Sequence, residues 1–127
     1  MKFATLEEII LIHDGIIEKI GGSLGLREPE LLKSIIEKPA TSFGGHDLYE
    51  TIYDKASAFL EALCNYHVFV DGNKRTSIAA LEYFLFINDY LVEATQGEKE
   101  NFVLSIATKK LDMTEIATWI KSHTKKK

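Results

Sequence analysis

The sequence predicts an all-α bundle of helices around a central buried helix, with a short hairpin-like flap as its only strand structure. Three observations support this fold class. Apolar residues recur mostly at helical spacing. Only two prolines interrupt 127 residues. Residues 78–87 are apolar almost all round, as in a helix that is buried on most sides. The length predicts a single domain over residues 1–127.

The first helix is predicted to start at Thr5, which can cap it, because Thr5 and Glu8 have the spacing of a capping box. Its apolar stripe includes His13, for which a packed core histidine is the favoured interpretation and pocket lining the alternative. Gly21-Gly22 ends this helix, since glycine commonly follows a helix C-terminus.

A second helix, a glycine turn and a third helix follow. The second helix is predicted over Glu28–Glu37, because Pro29 suits a first helical turn. Pro39–Tyr49 contains Gly44-Gly45, which predicts a loop or a small hairpin. This is the only segment where the sequence indicates strand. The third helix is expected over about Glu50–Tyr66.

The second half of the chain begins with the central helix, predicted over about Asn73–Asn88. Two shorter helices follow. One is expected over Glu98–Thr108, and the other opens at Asp112 with Glu115 as its capping-box partner. The lysines of Lys125–Lys127 indicate a solubilising tail.

Composition argues against several classes of protein. The formal net charge of −4 disfavours non-specific duplex binding, so no direct DNA binding is expected. The longest apolar stretch, Ile78–Ile87, contains Glu82 and is too short to span a bilayer. The N-terminus becomes acidic at Glu7, too early for a signal peptide, and a cytoplasmic protein without membrane contact is expected. No His/Cys set has zinc-ligand spacing, and His123 is expected to be exposed.

The segment from His67 to Arg75 concentrates the groups that phosphoryl or nucleotidyl transfer requires. It enters a buried helix, whose N-terminus attracts anions. Gly72 allows close approach of a ligand to the backbone, and Lys74 and Arg75 add positive charge. Asp71 can hold a magnesium ion that bridges phosphate oxygens. His67 is the candidate general base, because its ring exchanges a proton near neutral pH.

This segment resembles the signature of the Fic/Doc superfamily, His-x-Phe-x-(Asp/Glu)-Gly-Asn-(Gly/Lys)-Arg. The fixed positions are occupied by His67, Phe69, Asp71, Gly72, Asn73 and Arg75. Ile12-His13-Asp14, the segment Gly21–Arg27 and Phe43-Gly44-Gly45 are similar to the Doc branch, so the resemblance covers nearly the whole chain. The resemblance implies the Fic fold for the predicted bundle.

Two positions distinguish the Doc branch from AMP-transferring Fic proteins. Lys74 stands where those proteins have glycine, and Ile78 stands where they have a second arginine. The resemblance therefore implies a kinase toxin that uses ATP and Mg²⁺ to phosphorylate a hydroxyl of translation elongation factor Tu and so blocks translation. It also implies a Phd-type antitoxin as partner.

Two alternatives stay open at this point. One is an AMP transferase that modifies a protein hydroxyl. The other is a non-catalytic Fic-fold binding module, against which the intact His67, Asp71, Asn73 and Arg75 argue.

The resemblance also assigns roles by position. His67 is similar to the general base and Asp71 to the magnesium ligand. Gly72 and Asn73 would cradle phosphate through backbone and amide groups, while Lys74 and Arg75 would clamp the triphosphate. Phe69 corresponds to a packing anchor. Pro39–Tyr49 resembles the flap against which a target lies as an added strand.

Overall fold

A computed structural model describes all of residues 1–127 and confirms a mostly helical bundle. The helices are α1 Leu6–Ile20, α2 Pro29–Glu37, α3 Ile52–Asn65, α4 Asn73–Phe86, α5 Gln96–Thr108 and α6 Met113–Ser122. The strands are β1 Ser42–Phe43, β2 His46–Asp47, β3 Tyr90–Val92 and β4 Thr124–Lys126, and a 3₁₀ turn covers Lys38–Ala40. None of the helices combines the length and the apolar character that a membrane crossing demands.

Side-chain caps set the starts of several helices. The predicted capping boxes of α1, from Thr5 and Glu8, and of α6, from Asp112 and Glu115, are both present. A further capping box, formed by Thr95 with Glu98, starts α5, so this helix begins earlier than predicted.

The boundaries of α3 and α4 also shift slightly from the prediction. Thr51 accepts a hydrogen bond from the Asp54 amide, so α3 begins at Ile52 and not at Glu50. At the other end of α4, the last helical residue is Phe86.

Helices α3 and α4 share the centre of the bundle. Helix α3 packs against α2, α4, α5 and α6, whereas α4 packs against α1, α3 and α5. The sequence pointed to α4 as the central helix, but α3 is buried along more of its length. Each helix buries two polar residues, but α3 buries eight apolar residues and α4 five. The buried polar residues of α3 have partners inside the fold. Ser57 donates a hydrogen bond of 2.8 Å to the Met113 carbonyl, and Lys55 is bound by the flap segment.

The predicted flap is a hairpin with two residues in each strand. Ser42 pairs with Asp47, and Phe43 pairs with His46. Gly44 and Gly45 both have positive φ, as the tight turn requires. The side chain of Phe43 is 84% exposed. The flap segment is attached to α3 through Lys55, which donates to the Asp47 carboxylate at 3.1 Å and to the Tyr49 carbonyl.

A second antiparallel sheet contradicts two expectations. Strand β3 pairs with β4, with Tyr90 opposite Lys126 and Val92 opposite Thr124. Strand is therefore not confined to Pro39–Tyr49, and Lys125–Lys127 is not simply a solubilising tail. The backbone supplies the pairing, so the lysine side chains can stay in solvent at a sheet edge, where lysine is common.

Two contacts hold lysines of this tail against the bundle. Lys125 lies 3.1 Å from the Glu93 carboxylate, and the Lys127 ammonium lies 3.6 Å from the centre of the Phe86 ring. The tail therefore contributes contacts to the fold as well as charge to the surface.

His123 is partly buried, contrary to the expectation that it is exposed. Its ring stacks on Trp119 at 3.9 Å between ring centres, and Trp119 stacks on Phe102 at the same separation. The sequence did not indicate this because the stack depends on Phe102 of α5, which is remote in the chain and packs on the other side of Trp119.

Both ends of the chain meet at the end of α4. Lys2 and Asn88 exchange two hydrogen bonds, of 2.8 and 2.9 Å, between the Lys2 backbone and the Asn88 amide. The Lys127 amide donates to the Asp89 carbonyl at 2.8 Å. Residues 2 and 127 are therefore bonded to adjacent positions of the chain.

Candidate active site

The loop between α3 and α4 holds the candidate site residues and is anchored by two buried side chains. Val68 and Phe69 are almost completely buried, which confirms Phe69 as a packing anchor. His67, Val70 and Asp71 are exposed. The alternation lets the loop fix itself in the core while it presents polar groups to solvent.

The segment after α1 supports this loop along its backbone. The Val68 carbonyl accepts hydrogen bonds from the amides of Arg27 and Glu28 at 2.7 and 3.0 Å, and the Val70 amide donates to the Gly25 carbonyl at 3.0 Å. These bonds hold the loop against residues 25–28, which connect α1 to α2. Arg27 is exposed and forms no ion pair.

The Asn73 side chain joins the end of the loop to its middle through two hydrogen bonds to the backbone of Phe69. Its amide nitrogen donates to the Phe69 carbonyl at 2.9 Å, and its amide oxygen accepts from the Phe69 N–H at 3.1 Å. The sequence assigned this amide to phosphate binding, but here both of its polar groups are engaged with Phe69. Its second side-chain N–H, and its backbone N–H in the first turn of α4, can still be offered to a ligand.

The N-terminus of α4 has the features of an anion-binding site. Gly72 caps the helix in the left-handed conformation, with φ 75° and ψ 18°, and no side chain caps the first-turn N–H groups. The first turn contains no acidic residue, and it carries the exposed Lys74 and Arg75. Lys74 lies 3.9 Å from the Glu100 carboxylate on α5. Cations at a helix N-terminus oppose the helix dipole, and a bound anion would offset that cost.

The Asp71 carboxylate is oriented by two backbone N–H groups. One oxygen accepts from Gly72 at 2.9 Å, and the other accepts from Ser23 at 3.2 Å. Gly22 makes the second contact possible, because a Cβ at that position would lie 2.7 Å from the carboxylate. The sequence did not indicate this role of Gly22-Ser23, since the segment is remote from the loop in the chain.

Asp71 is a suitable single protein ligand for magnesium. Each carboxylate oxygen accepts only one N–H and so retains acceptor capacity. No group of three or more His, Cys, Asp or Glu side chains forms a metal cage. Magnesium commonly uses one or two carboxylates together with substrate phosphates and water, which this arrangement fits.

His13 lies beneath the loop and is completely buried. Its Nε2 is 2.7 Å from the Asp71 carbonyl oxygen, and its ring stacks on Phe69 at 3.8 Å with an interplanar angle of 6°. The prediction of a packed histidine is confirmed. The contact with the Asp71 backbone could not be foreseen from helix periodicity.

His67 and Lys74 line one cavity of about 170 Å³, whose apolar walls come from α3 and α5 and include Leu63, Cys64 and Leu104. Burial raises the pKa of the Cys64 thiol to about 12, so this wall carries the neutral thiol. Arg75 lies elsewhere. It lines a separate depression of about 200 Å³ with Lys19 and Ile78. The two cations of the signature therefore lie on different sides of α4.

Comparisons with known proteins agree on the kind of protein this is. A family model described as "Fic/DOC family" matches residues 3–85, which span α1 to α4 and the loop. The protein "Toxin Doc" of Mycolicibacterium smegmatis is 37% identical over 99 residues, covering 76% of each chain. "Protein kinase doc" of Escherichia phage P1 is 26% identical over 117 residues, covering 92% of this chain and 91% of the relative.

Proposed function

The chain belongs to the Fic/DOC family, in its Doc branch, and we propose that it is the toxin of a toxin–antitoxin pair that transfers the terminal phosphate of ATP to a hydroxyl of translation elongation factor Tu. The names of the two relatives support the toxin and the kinase parts of this proposal. The positions of Lys74 and Ile78, which differ from AMP-transferring Fic proteins, support terminal-phosphate transfer.

The main support for this proposal is the anion-binding character of the start of α4. An uncapped helix N-terminus, a left-handed glycine and two nearby cations together form a site for a highly charged anion. The triphosphate of a nucleotide meets that requirement. Lys74 and Arg75, which flank the start of α4 on different sides, would neutralise charge on the phosphate oxygens from two directions, and the N–H groups would hold those oxygens in place.

His67 supplies the proton transfer. His67 is exposed at the start of the loop, and its ring accepts the proton of the target hydroxyl. The hydroxyl oxygen then bonds to the terminal phosphorus, the bond from that phosphorus to the bridging oxygen breaks, and ADP leaves with the electron pair. A positioned base contributes roughly 10²–10⁴-fold to such a reaction.

Asp71 would hold the magnesium ion, which when bound neutralises phosphate charge. The two N–H groups that orient the carboxylate keep it directed toward the start of α4. Replacing Asp71→Ala should therefore abolish nucleotide turnover. Full turnover by that variant with magnesium chelated would contradict the assignment.

The flap is the proposed docking edge for the target, and a Phd-type antitoxin is the proposed silencing partner. The short hairpin β1–β2 is exposed at all four strand positions, so a target segment can pair with its edge. Because elongation factor Tu acts in the cytoplasm, the proposed activity is exercised there.

A double-label assay tests the proposal. The protein is incubated with elongation factor Tu, magnesium and ATP labelled at either the terminal or the first phosphate. The variant His67→Ala removes the base, and Lys33→Ala, at an exposed residue of α2 outside the loop and the flap, serves as the control. We expect label from the terminal phosphate only, lost in His67→Ala and kept in Lys33→Ala.

The other outcomes are equally informative. Label from the first phosphate would make the protein an AMP transferase and refute the argument from Lys74 and Ile78. Growth arrest that persists in His67→Ala cells, with no label transferred by the native protein, would establish a non-catalytic binding module.

A further inference from the structure

We propose that His13, on α1, is a positioning residue for phosphate transfer, which holds the backbone of the loop at Asp71 in its active geometry. The inference rests on the proposed function for its chemistry. Its structural part, that His13 fixes the loop, stands on the contacts alone.

The first contact fixes a hydrogen on the ring. The Asp71 carbonyl oxygen, 2.7 Å from Nε2, can only accept, so Nε2 is the donor. The other ring nitrogen, Nδ1, lies 3.0 Å from the Asp14 carboxylate, which also accepts. Asp14 thus contacts the ring on the side opposite the loop and sets its orientation.

The second contact fixes the plane of the ring. Phe69 is buried and lies parallel to His13, with 3.8 Å between the ring centres. A ring held by a stack on one face and by bonds at both nitrogens has no freedom to turn. The hydrogen bond to Asp71 therefore has a fixed direction as well as a short length.

The third observation concerns the acceptor of the hydrogen bond from His13, the Asp71 carbonyl. Asp71 and Gly72 share the peptide unit whose carbonyl His13 binds, and this unit joins the proposed metal ligand to the cap of α4. A Cβ at Gly72 would lie 3.7 Å from the Nε2 and Cδ2 atoms of His13. The buried His13 side chain thus lies against the peptide unit that determines the positions of both the Asp71 carboxylate and the first N–H groups of α4.

Loss of this bond should affect the reaction more than the fold. The Asp71 residue is exposed, so the loop can shift at this residue and bring the released carbonyl to water. Misplacement of reacting groups by about 1 Å can reduce a rate by roughly 10²-fold. We expect a loss of that order in kcat when the donor is removed.

Two substitutions separate positioning from packing. His13→Phe keeps a flat apolar ring against Phe69 but removes both donors. His13→Gln loses the stack but can place an amide nitrogen near the position of Nε2, and so can still donate to Asp71. We expect His13→Phe to have the higher melting temperature and the lower kcat, and His13→Gln to recover at least tenfold in kcat over it.

For the inference to hold, the variant with the higher melting temperature must have the lower kcat. If activity instead follows melting temperature, with His13→Phe the more active variant, His13 is only a packing residue and the inference is overturned. Ile116→Val, in the buried face of α6 away from the loop, shows what a modest core change does to both quantities.

A measurement without substrate keeps this inference separate from the proposed function. Amide hydrogen exchange over residues 68–73 should be faster in His13→Phe than in the native protein, and intermediate in His13→Gln. If the native protein transfers no phosphate, the proposed function fails, and the exchange result alone decides whether His13 holds the loop. Equal exchange in all three proteins would refute the positioning role.

Discussion

Replacing Gly72→Ala should destabilise the protein through two separate effects. Gly72 has φ 75°, and placing alanine in the left-handed region costs about 1–2 kcal/mol. A Cβ at this position would also lie 2.9 Å from the Cδ1 atom of the buried Ile17, which must then shift. Overpacking of this kind typically costs ~1–3 kcal/mol, so the total expected loss in free energy of unfolding is about 2–5 kcal/mol.

Two other glycines separate these effects. Gly44, in the flap turn, has φ 58° and no atom near its Cβ position, so Gly44→Ala should lose only the backbone term of about 1–2 kcal/mol. Gly15 lies within α1 and also has open space, so Gly15→Ala should stabilise the helix by roughly 0.5–1 kcal/mol.

Urea unfolding of the four proteins tests this ranking. The expected order of stability is Gly15→Ala, native, Gly44→Ala and Gly72→Ala. Phosphate transfer should fall in Gly72→Ala and stay at the native level in Gly15→Ala. A Gly72→Ala protein no less stable than Gly44→Ala would refute the argument from the contact with Ile17.

Three further predictions concern buried polar groups. Asn73→Ala removes both hydrogen bonds to Phe69 and should lower the free energy of unfolding by about 2 kcal/mol in urea; an unchanged midpoint would contradict the closing role of the amide. Burial raises the pKa of the Cys64 thiol to about 12, whereas the thiol of the unfolded chain has a pKa of about 8.5. The free energy of unfolding should therefore fall as pH rises above about 8.5, by up to about 1.4 kcal/mol per pH unit. Cys64→Ala should remove that part of the slope, and parallel curves for the two proteins would refute it. Lys55→Met releases Asp47, so amide exchange in the flap should accelerate while ATP affinity stays unchanged; unaltered exchange would show that Lys55 does not anchor the flap.

Local patterns predicted the helices well because their signals lie within a few residues of each other. The capping boxes at Thr5 and Asp112 are examples, as is the glycine turn of the flap. The second sheet was missed for the opposite reason. Its strands are far apart in the chain, and Thr124–Lys126 is suited to a strand only because Tyr90–Val92 lies beside it.

The candidate site shows the same division. The residues between His67 and Arg75 carry their chemical types in the sequence, so a pattern could find them. What holds them is not local. Gly22 and Ser23 receive the Asp71 carboxylate, and His13 binds its carbonyl, across separations that no periodicity encodes. The engagement of the Asn73 amide by Phe69 likewise depends on the path of the loop, which the residue types alone do not specify.

The meeting of the chain ends beside Asn88 and Asp89 has a topological consequence. Since Lys2 and Lys127 are bonded to neighbouring residues, a short flexible linker could join the two termini into a closed ring. The α3–α4 loop contacts α1 and the segment after it, and no bond ties it to either end of the chain. A cyclic polypeptide should therefore keep its native site while its unfolded ensemble loses conformational entropy, which raises its resistance to heat.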